Sequence, residues 1–163
     1  MRSLLGFPNP VNEVAARLVA SGVVALCVTV LVSGWTWLLA PMALGFLLRV
    51  AAGPRFSPLA LLVTRVIVPR LAIAPRYVPG PPKRFAQGMG AVMSTTAAVL
   101  ALGFGQDRLA LLVVAAILVA AVLESGFGYC VGCRIFALAM RLGVVPASVC
   151  LECADVSARL SAS

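Results

Sequence analysis

The chain predicts an all-α, polytopic integral membrane protein with four transmembrane helices arranged as two related hairpins, plus an interfacial helix and a short cytoplasmic C-terminal helix. Three observations carry this expectation. Of the 163 residues, 62% are hydrophobic and 11% charged, against roughly 45–50% apolar in soluble domains. Mean hydropathy is +1.08 over the whole length, so the apolar character is not one local anchor. Four separate runs approach the roughly 20 apolar residues that cross a bilayer, and most basic residues flank them. Backbone groups in lipid must be satisfied internally, so each run is expected to be helical.

The first span covers about 14–33, "VAARLVASGVVALCVTVLVS". Arg2 and Arg17 ahead of an apolar run raise the question of a signal peptide. Trp35, Thr36 and Trp37 and a second apolar run follow directly, with no clear small-residue cleavage site, so a retained helix is expected. The second span covers about 35–52, "WTWLLAPMALGFLLRVAA". A loop over 53–84 follows. Its "SPLALLVTRVIV" at 57–68 is too short to span and carries Arg65, which predicts an interfacial helix. The proline-punctuated "PRLAIAPRYVPGPP" then reads as an extended strap. The third span, about 85–105, is rich in Gly and Ala and suited to close helix packing. The fourth covers about 109–129. After it, "RIFALAMRLG" predicts a short amphipathic helix stopping at Gly143, and Pro146 opens a last helix over roughly 147–160. The expected division is a transmembrane domain over 1–145 and a cytoplasmic tail over 146–163.

Net charge is +8, from 13 basic residues against five acids, with no histidine. In a soluble protein this would suggest nucleic acid. Here the basic residues flank apolar runs, so the lipid bilayer is the expected partner and nucleic acid is not. The absence of histidine removes His-ligated haem, His-based metal sites, His general bases and any Ser-His-Asp arrangement. The link near Gly34 carries no basic residue, whereas the central loop carries Arg55, Arg65, Arg70, Arg76, Lys83 and Arg84. The link between spans three and four has only Arg108, beside Asp107, and the tail has Arg134, Arg141 and Arg159. The positive-inside rule therefore predicts both termini and the long central loop in the cytoplasm, and Trp35 and Trp37 in the outer aromatic belt.

"PVNEVAARLVASG" at 10–22 is laid out like "PKRFAQGMGAVMS" at 82–94, which suggests two related halves. Arg49 stands 14 residues after Trp35, about 21 Å down its helix. Glu124 stands 15 residues after Leu109, at nearly the same depth. Intramembrane charges normally find partners, so an Arg49–Glu124 ion pair between the hairpins is expected.

Chemistry, if any, rests on cysteine. Cys27 is alone in the first span and reads as a small core residue. Cys130 and Cys133 form one C-x-x-C pair and Cys150 and Cys153 a second, separated by 16 residues. Three readings stand. The pairs are dithiols for redox or sulfur transfer, with thiolates favoured by helix N-termini and by Arg134, and with Glu124 moving protons. Alternatively the four cysteines hold a structural zinc in a non-enzymatic scaffold, since two C-x-x-C pairs at this separation fit a four-thiolate site. Or all four are structural thiols in a reducing compartment. Gly126, Gly128 and Gly132 around the first pair either break the helix there or allow close packing.

"PPKRFAQGMGAVM" at 81–93 and "LESGFGYCVGC" at 123–133, with "SPL" at 57–59 and Arg49, resemble an uncharacterised bacterial four-helix membrane family known only as a domain of unknown function. The resemblance covers roughly 10–142, and the "VPASVCLECADV" tail looks like the form in actinobacterial members. Cys130 and Cys133 match the family's cysteine motif and Gln87 its FAQG motif; "EVAAR" in the first helix departs from the pattern. Members are often encoded beside thioredoxin-like and rhodanese-type proteins. The resemblance thus implies a membrane-bound thiol module with such a cytoplasmic partner.

Overall fold

The computed structural model describes residues 10–53, 57–71, 74 and 76–150. It is almost entirely helical, and the departure from an all-α fold is a two-residue bridge. β1 (Val11–Asn12) pairs antiparallel with β2 (Tyr77–Val78), Val11 opposite Val78 and Asn12 opposite Tyr77. This bridge and a Glu13–Arg76 ion pair at 3.2 Å tie the end of the proline-rich strap to the start of the first helix.

α1 (Glu13–Ser33) begins where Asn12 Oδ1 accepts the Val14 N–H at 3.0 Å, with Glu13 in the first turn against the helix dipole. It ends at Gly34, whose φ of 70° only glycine adopts freely. A 3-10 turn (Thr36–Leu38) leads into α2 (Leu39–Ala52). Pro41 sits in the first turn of α2, where a missing N–H breaks no intrahelical bond. α3 (Pro58–Leu62), a π-helical turn (Val63–Ile67) and α4 (Val68–Leu71) run on as one short helical segment. Ala60 and Val63 bury it against Ala15 and Val19 of α1.

α5 (Gly80–Ala98) starts five residues before the expected span. Pro81 and Pro82 occupy its first turn, a position that tolerates them. A π-helical turn (Val99–Gly103) extends it. α6 (Asp107–Phe127) ends at Gly128, with φ 67°. The Gly128 and Tyr129 N–H groups return to the Glu124 and Leu123 carbonyls, closing a Schellman-type cap. α7 (Val131–Arg141) follows at once, and a 3-10 turn (Ala147–Val149) lies beyond it. The helix expected over 147–160 falls mostly outside the described residues.

Among the described residues, three helices are long and apolar enough to cross a membrane: Glu13–Ser33, Gly80–Gly103 and Asp107–Phe127. The apolar helix Thr36–Ala52 is shorter, at 17 residues. The most extensive packing is α1 on α6 and α2 on α5, followed by α5 on α6. Helices adjacent in sequence are thus not the closest neighbours; α1 and α2 touch little. Side-chain size explains this. Gly90 of α5 leaves the space that the Phe46 ring of α2 occupies, so those two helices approach closely. The core shared by α1, α2, α5 and α6 includes many small and β-branched residues, among them Cys27, Val30, Ala97, Ala110 and Val114. Cys27 is completely buried, its sulfur 3.9 Å from Met42 Sδ, as the reading of a small core residue expected.

Candidate functional site

Apart from Asp107 and Arg108 at the start of α6, the ionisable side chains of the long helices gather at one end. Arg17, in the first turns of α1, donates to the Ser125 carbonyl from Nε and Nη2 at 3.2 and 3.1 Å, and to the Gly126 carbonyl at 2.8 Å. It thereby caps the C-terminus of α6. Arg84 of α5 donates to the Val50 carbonyl near the end of α2 at 3.2 Å. So the starts of α1 and α5 and the ends of α2 and α6 share one end of the bundle, with α7 beside them.

The first cysteine pair lies at this end. Gly128 stops α6, and Cys130 becomes the extended N-cap residue of α7, with Cys133 one turn into that helix. Gly132 has a different task. A Cβ there would lie 2.6 Å from the Ala86 Cα, so its lack of a side chain lets α7 press on α5. The sequence posed a helix break and close packing as alternatives; Gly128 does the first and Gly132 the second. Cys130 is 8% exposed, and Cys133 is half-buried. Their sulfurs are hydrogen-bonded to each other. That bond, above all, holds the Cys130 thiol below its usual pKa, with Lys83 assisting against burial and the Glu124 charge. The same bond, then burial, pushes the Cys133 thiol up.

Lys83 is the residue that sequence reasoning missed. It was counted as a loop charge, yet it is buried in the first turn of α5, with Nζ 2.6 Å from Glu124 Oε1. The signal was present: the chain's single lysine stands in KRFAQG, one helical turn before Gln87. Arg134, expected to favour the thiolates, instead lies over the Tyr129 ring, its guanidinium carbon 5.1 Å from the centroid.

The expected Arg49–Glu124 ion pair is not formed, because Lys83 takes the carboxylate. Arg49 donates from Nε to the Gly45 carbonyl at 3.0 Å and lies over the Phe46 ring, 4.2 Å from its centroid. Matching depth along two helices leaves their rotation and neighbours open. α2 packs on α5 rather than α6, whereas α5 touches α6 and delivers Lys83. Arg49 and Glu124 nevertheless face one cavity of about 270 Å³, enclosed by α1, α2, α5, α6 and the start of α7, which Gln87 and Cys130 also line. A second cavity of about 260 Å³, toward β1 and α3, shares Arg49 and Gln87 as its wall.

The second cysteine pair is described only at Cys150, which is buried and disulfide-bonded; Cys153 lies outside the described residues. A four-thiolate zinc site needs four ionised sulfurs. A disulfide sulfur is not one, and among the described residues no three Cys, Asp or Glu side chains gather within reach of a metal ion.

No curated protein and no solved structure matches the chain. Residues 11–141 match the domain of unknown function DUF4395. This stretch runs from β1 to the last residue of α7, and so contains every residue of the cavity and the first dithiol; the chain belongs to the DUF4395 family.

Proposed function

We propose that this protein is a thiol redox or sulfur-transfer module of the bacterial inner membrane. Its partner is a cytoplasmic thioredoxin-like or rhodanese-type protein. In this reading α1, Thr36–Ala52, Gly80–Gly103 and α6 are four spans in two hairpins, with both termini cytoplasmic. The short second helix supports a fourth span because 17 residues meet the lower limit of about 17 and it lies along α5. Charge supports the orientation. Arg17, Arg76, Lys83, Arg84 and Arg134 belong to the thiol end, and Arg108 beside Asp107 to the other. Trp35 and Trp37, both exposed, then lie in the outer interface.

The observation that carries the proposal is the Cys130–Cys133 thiol pair. The two thiols stand one turn apart at the N-terminus of α7, next to the Lys83–Glu124 ion pair. Such an arrangement divides the work of exchange. Cys130, with the lower pKa, is the nucleophile; Cys133, kept protonated, is the resolving thiol. The Cys130 thiolate attacks a disulfide sulfur of the partner, whose second sulfur leaves as thiolate. Cys133 then loses its proton and attacks Cys130, forming the Cys130–Cys133 disulfide and releasing the partner as a dithiol; run in reverse, the same steps let a partner dithiol reduce that disulfide. With a persulfide donor, the outer sulfur passes to Cys130 and the donor leaves as thiolate. Cys150 and Cys153 form the second exchange site, consistent with the disulfide at Cys150.

Trapping tests this. In Cys133→Ser the mixed disulfide at Cys130 cannot be resolved, so a thioredoxin-like protein lacking its own resolving cysteine, its attacking cysteine supplied as the mixed disulfide with thionitrobenzoate, is captured with release of thionitrobenzoate and identified by mass spectrometry. Absence of any mixed disulfide or persulfide at Cys130, Cys133, Cys150 or Cys153 refutes the proposal.

A further inference from the structure

Two polar groups in the wall of the 270 Å³ cavity are left wanting partners. Arg49 is 6% exposed. Among the described residues only the Gly45 carbonyl accepts from it, through Nε, so neither terminal guanidinium nitrogen has an acceptor. The nearby Glu124 carboxylate is engaged by Lys83. The second group is Gln87, whose Oε1 is shut off from solvent without a donor. A buried cation lacking an acceptor and a buried carbonyl lacking a donor are both unfavourable. The two stand on facing helices and line the same space.

The rest of the wall selects the occupant's chemistry. Ala16, Ala20, Met93, Ile117 and Ala120 present only methyl, methylene and thioether groups. A small inorganic anion would exchange its hydration for one guanidinium and otherwise meet hydrocarbon and the Glu124 carboxylate, which repels it. A planar ring carrying carbonyl oxygens loses far less hydration. It offers an acceptor to Arg49 and, once reduced, an O–H to Gln87. The volume lies just under the roughly 300–1,000 Å³ of small-molecule sites, which suits one ring system and not a large cofactor. Cys130 lines the cavity and Cys133 does not, so Cys130 is the sulfur that meets the ring.

We infer that this cavity binds the head group of a membrane quinone and that the quinone is the electron acceptor of the Cys130–Cys133 dithiol. The second half of the statement rests on the thiol reading above; the first does not. The step balances. The S–H bonds of Cys130 and Cys133 break and one S–S bond forms, releasing two protons and two electrons. The quinone takes up both pairs and becomes the quinol, with two new O–H bonds. Arg49 steadies the charge that develops on the ring oxygen, and Gln87 accepts from the product hydroxyl.

The experiment uses the full chain in lipid nanodiscs with a naphthoquinone methylated at both free quinone-ring carbons, which blocks simple thiol addition. Binding is read by equilibrium dialysis and quinol formation by ultraviolet absorbance. Wild type and Cys130→Ser bind alike. Arg49→Gln and Gln87→Leu each weaken binding about tenfold or more, and Ala120→Phe, which fills the cavity, abolishes it. Pre-reduced wild type forms stoichiometric quinol, and Cys130→Ser forms none. The inference is overturned if wild type does not bind the quinone, or binds it no better than Ala120→Phe does. Arg49-dependent binding of thiosulfate in place of the quinone also overturns it. Quinone binding without quinol formation upholds the site and overturns the quinone as electron acceptor, while the thiol reading falls only if trapping fails at all four cysteines. Partner trapping at Cys130 without quinone binding refutes this inference alone.

Discussion

Replacing Lys83 with Met leaves the Glu124 carboxylate without its cation in a nearly closed setting. The Lys83 and Glu124 side chains are 7% and 15% exposed, and their charged atoms are 2.6 Å apart. Removing one partner of a buried pair is destabilising by about 3–5 kcal/mol, mostly because the remaining charge is stranded. Methionine nearly matches the lysine stem, so little of the effect is lost packing. The double variant Lys83→Met with Glu124→Gln should recover most of the loss, since neither residual side chain is then charged. Unfolding by detergent titration from micelles, run as a double-mutant cycle, gives the coupling between the two positions. The same variants move the thiol in opposite directions. Lys83 lowers the Cys130 pKa and Glu124 raises it. Alkylation of Cys130 by iodoacetamide follows the thiolate, so its rate falls as pH drops through the thiol pKa. Lys83→Met shifts that profile to higher pH, and Glu124→Gln shifts it to lower pH. A loss below about 1 kcal/mol in Lys83→Met, together with an unmoved alkylation profile, would show that the pair neither supports the bundle nor acts on the thiol.

Three further outcomes are expected. Cys133→Ala removes the hydrogen bond that most lowers the Cys130 pKa, so the Cys130 alkylation profile moves to higher pH, read by mass spectrometry across a pH series. Gly132→Ala drives a methyl into the Ala86 backbone and destabilises the bundle by about 1–3 kcal/mol; α7 lifts from α5, and both thiols react faster with a bulky maleimide. Arg17→Ala frees the Ser125 and Gly126 carbonyls and destabilises by about 1–3 kcal/mol, seen as faster amide exchange in the last turn of α6 with Cys27 still protected from alkylation.

Much of the molecule was legible from local signals. Apolar runs located α1, α6 and the body of α5, and glycines at 34, 128 and 143 marked left-handed turns, with φ of 70°, 67° and 73°. The short helix after Ser57 was visible from its length and its pattern. Errors arose where a residue's role depends on another helix. Lys83 read as a loop charge because two prolines precede it, yet they occupy the first turn of α5. Arg17 read as a flanking charge, although its partners are more than a hundred residues away, at Ser125 and Gly126. Arg49 and Glu124 were matched by depth, and depth carries no information about which helix faces which.

Composition and period alone determined that this chain is helical and apolar enough for a membrane, and that its paired cysteines fall after the last long apolar helix. Those properties depend on each residue and its near neighbours along one helix. Tertiary structure decided that α1 packs on α6, α2 on α5 and α7 on α5, the last two through the fit of Phe46 at Gly90 and of Ala86 at Gly132. From that pairing came the rest: Lys83 on Glu124, Arg49 with no ion pair of its own among the described residues, and Cys130 at the edge of a cavity that no single stretch of sequence forms.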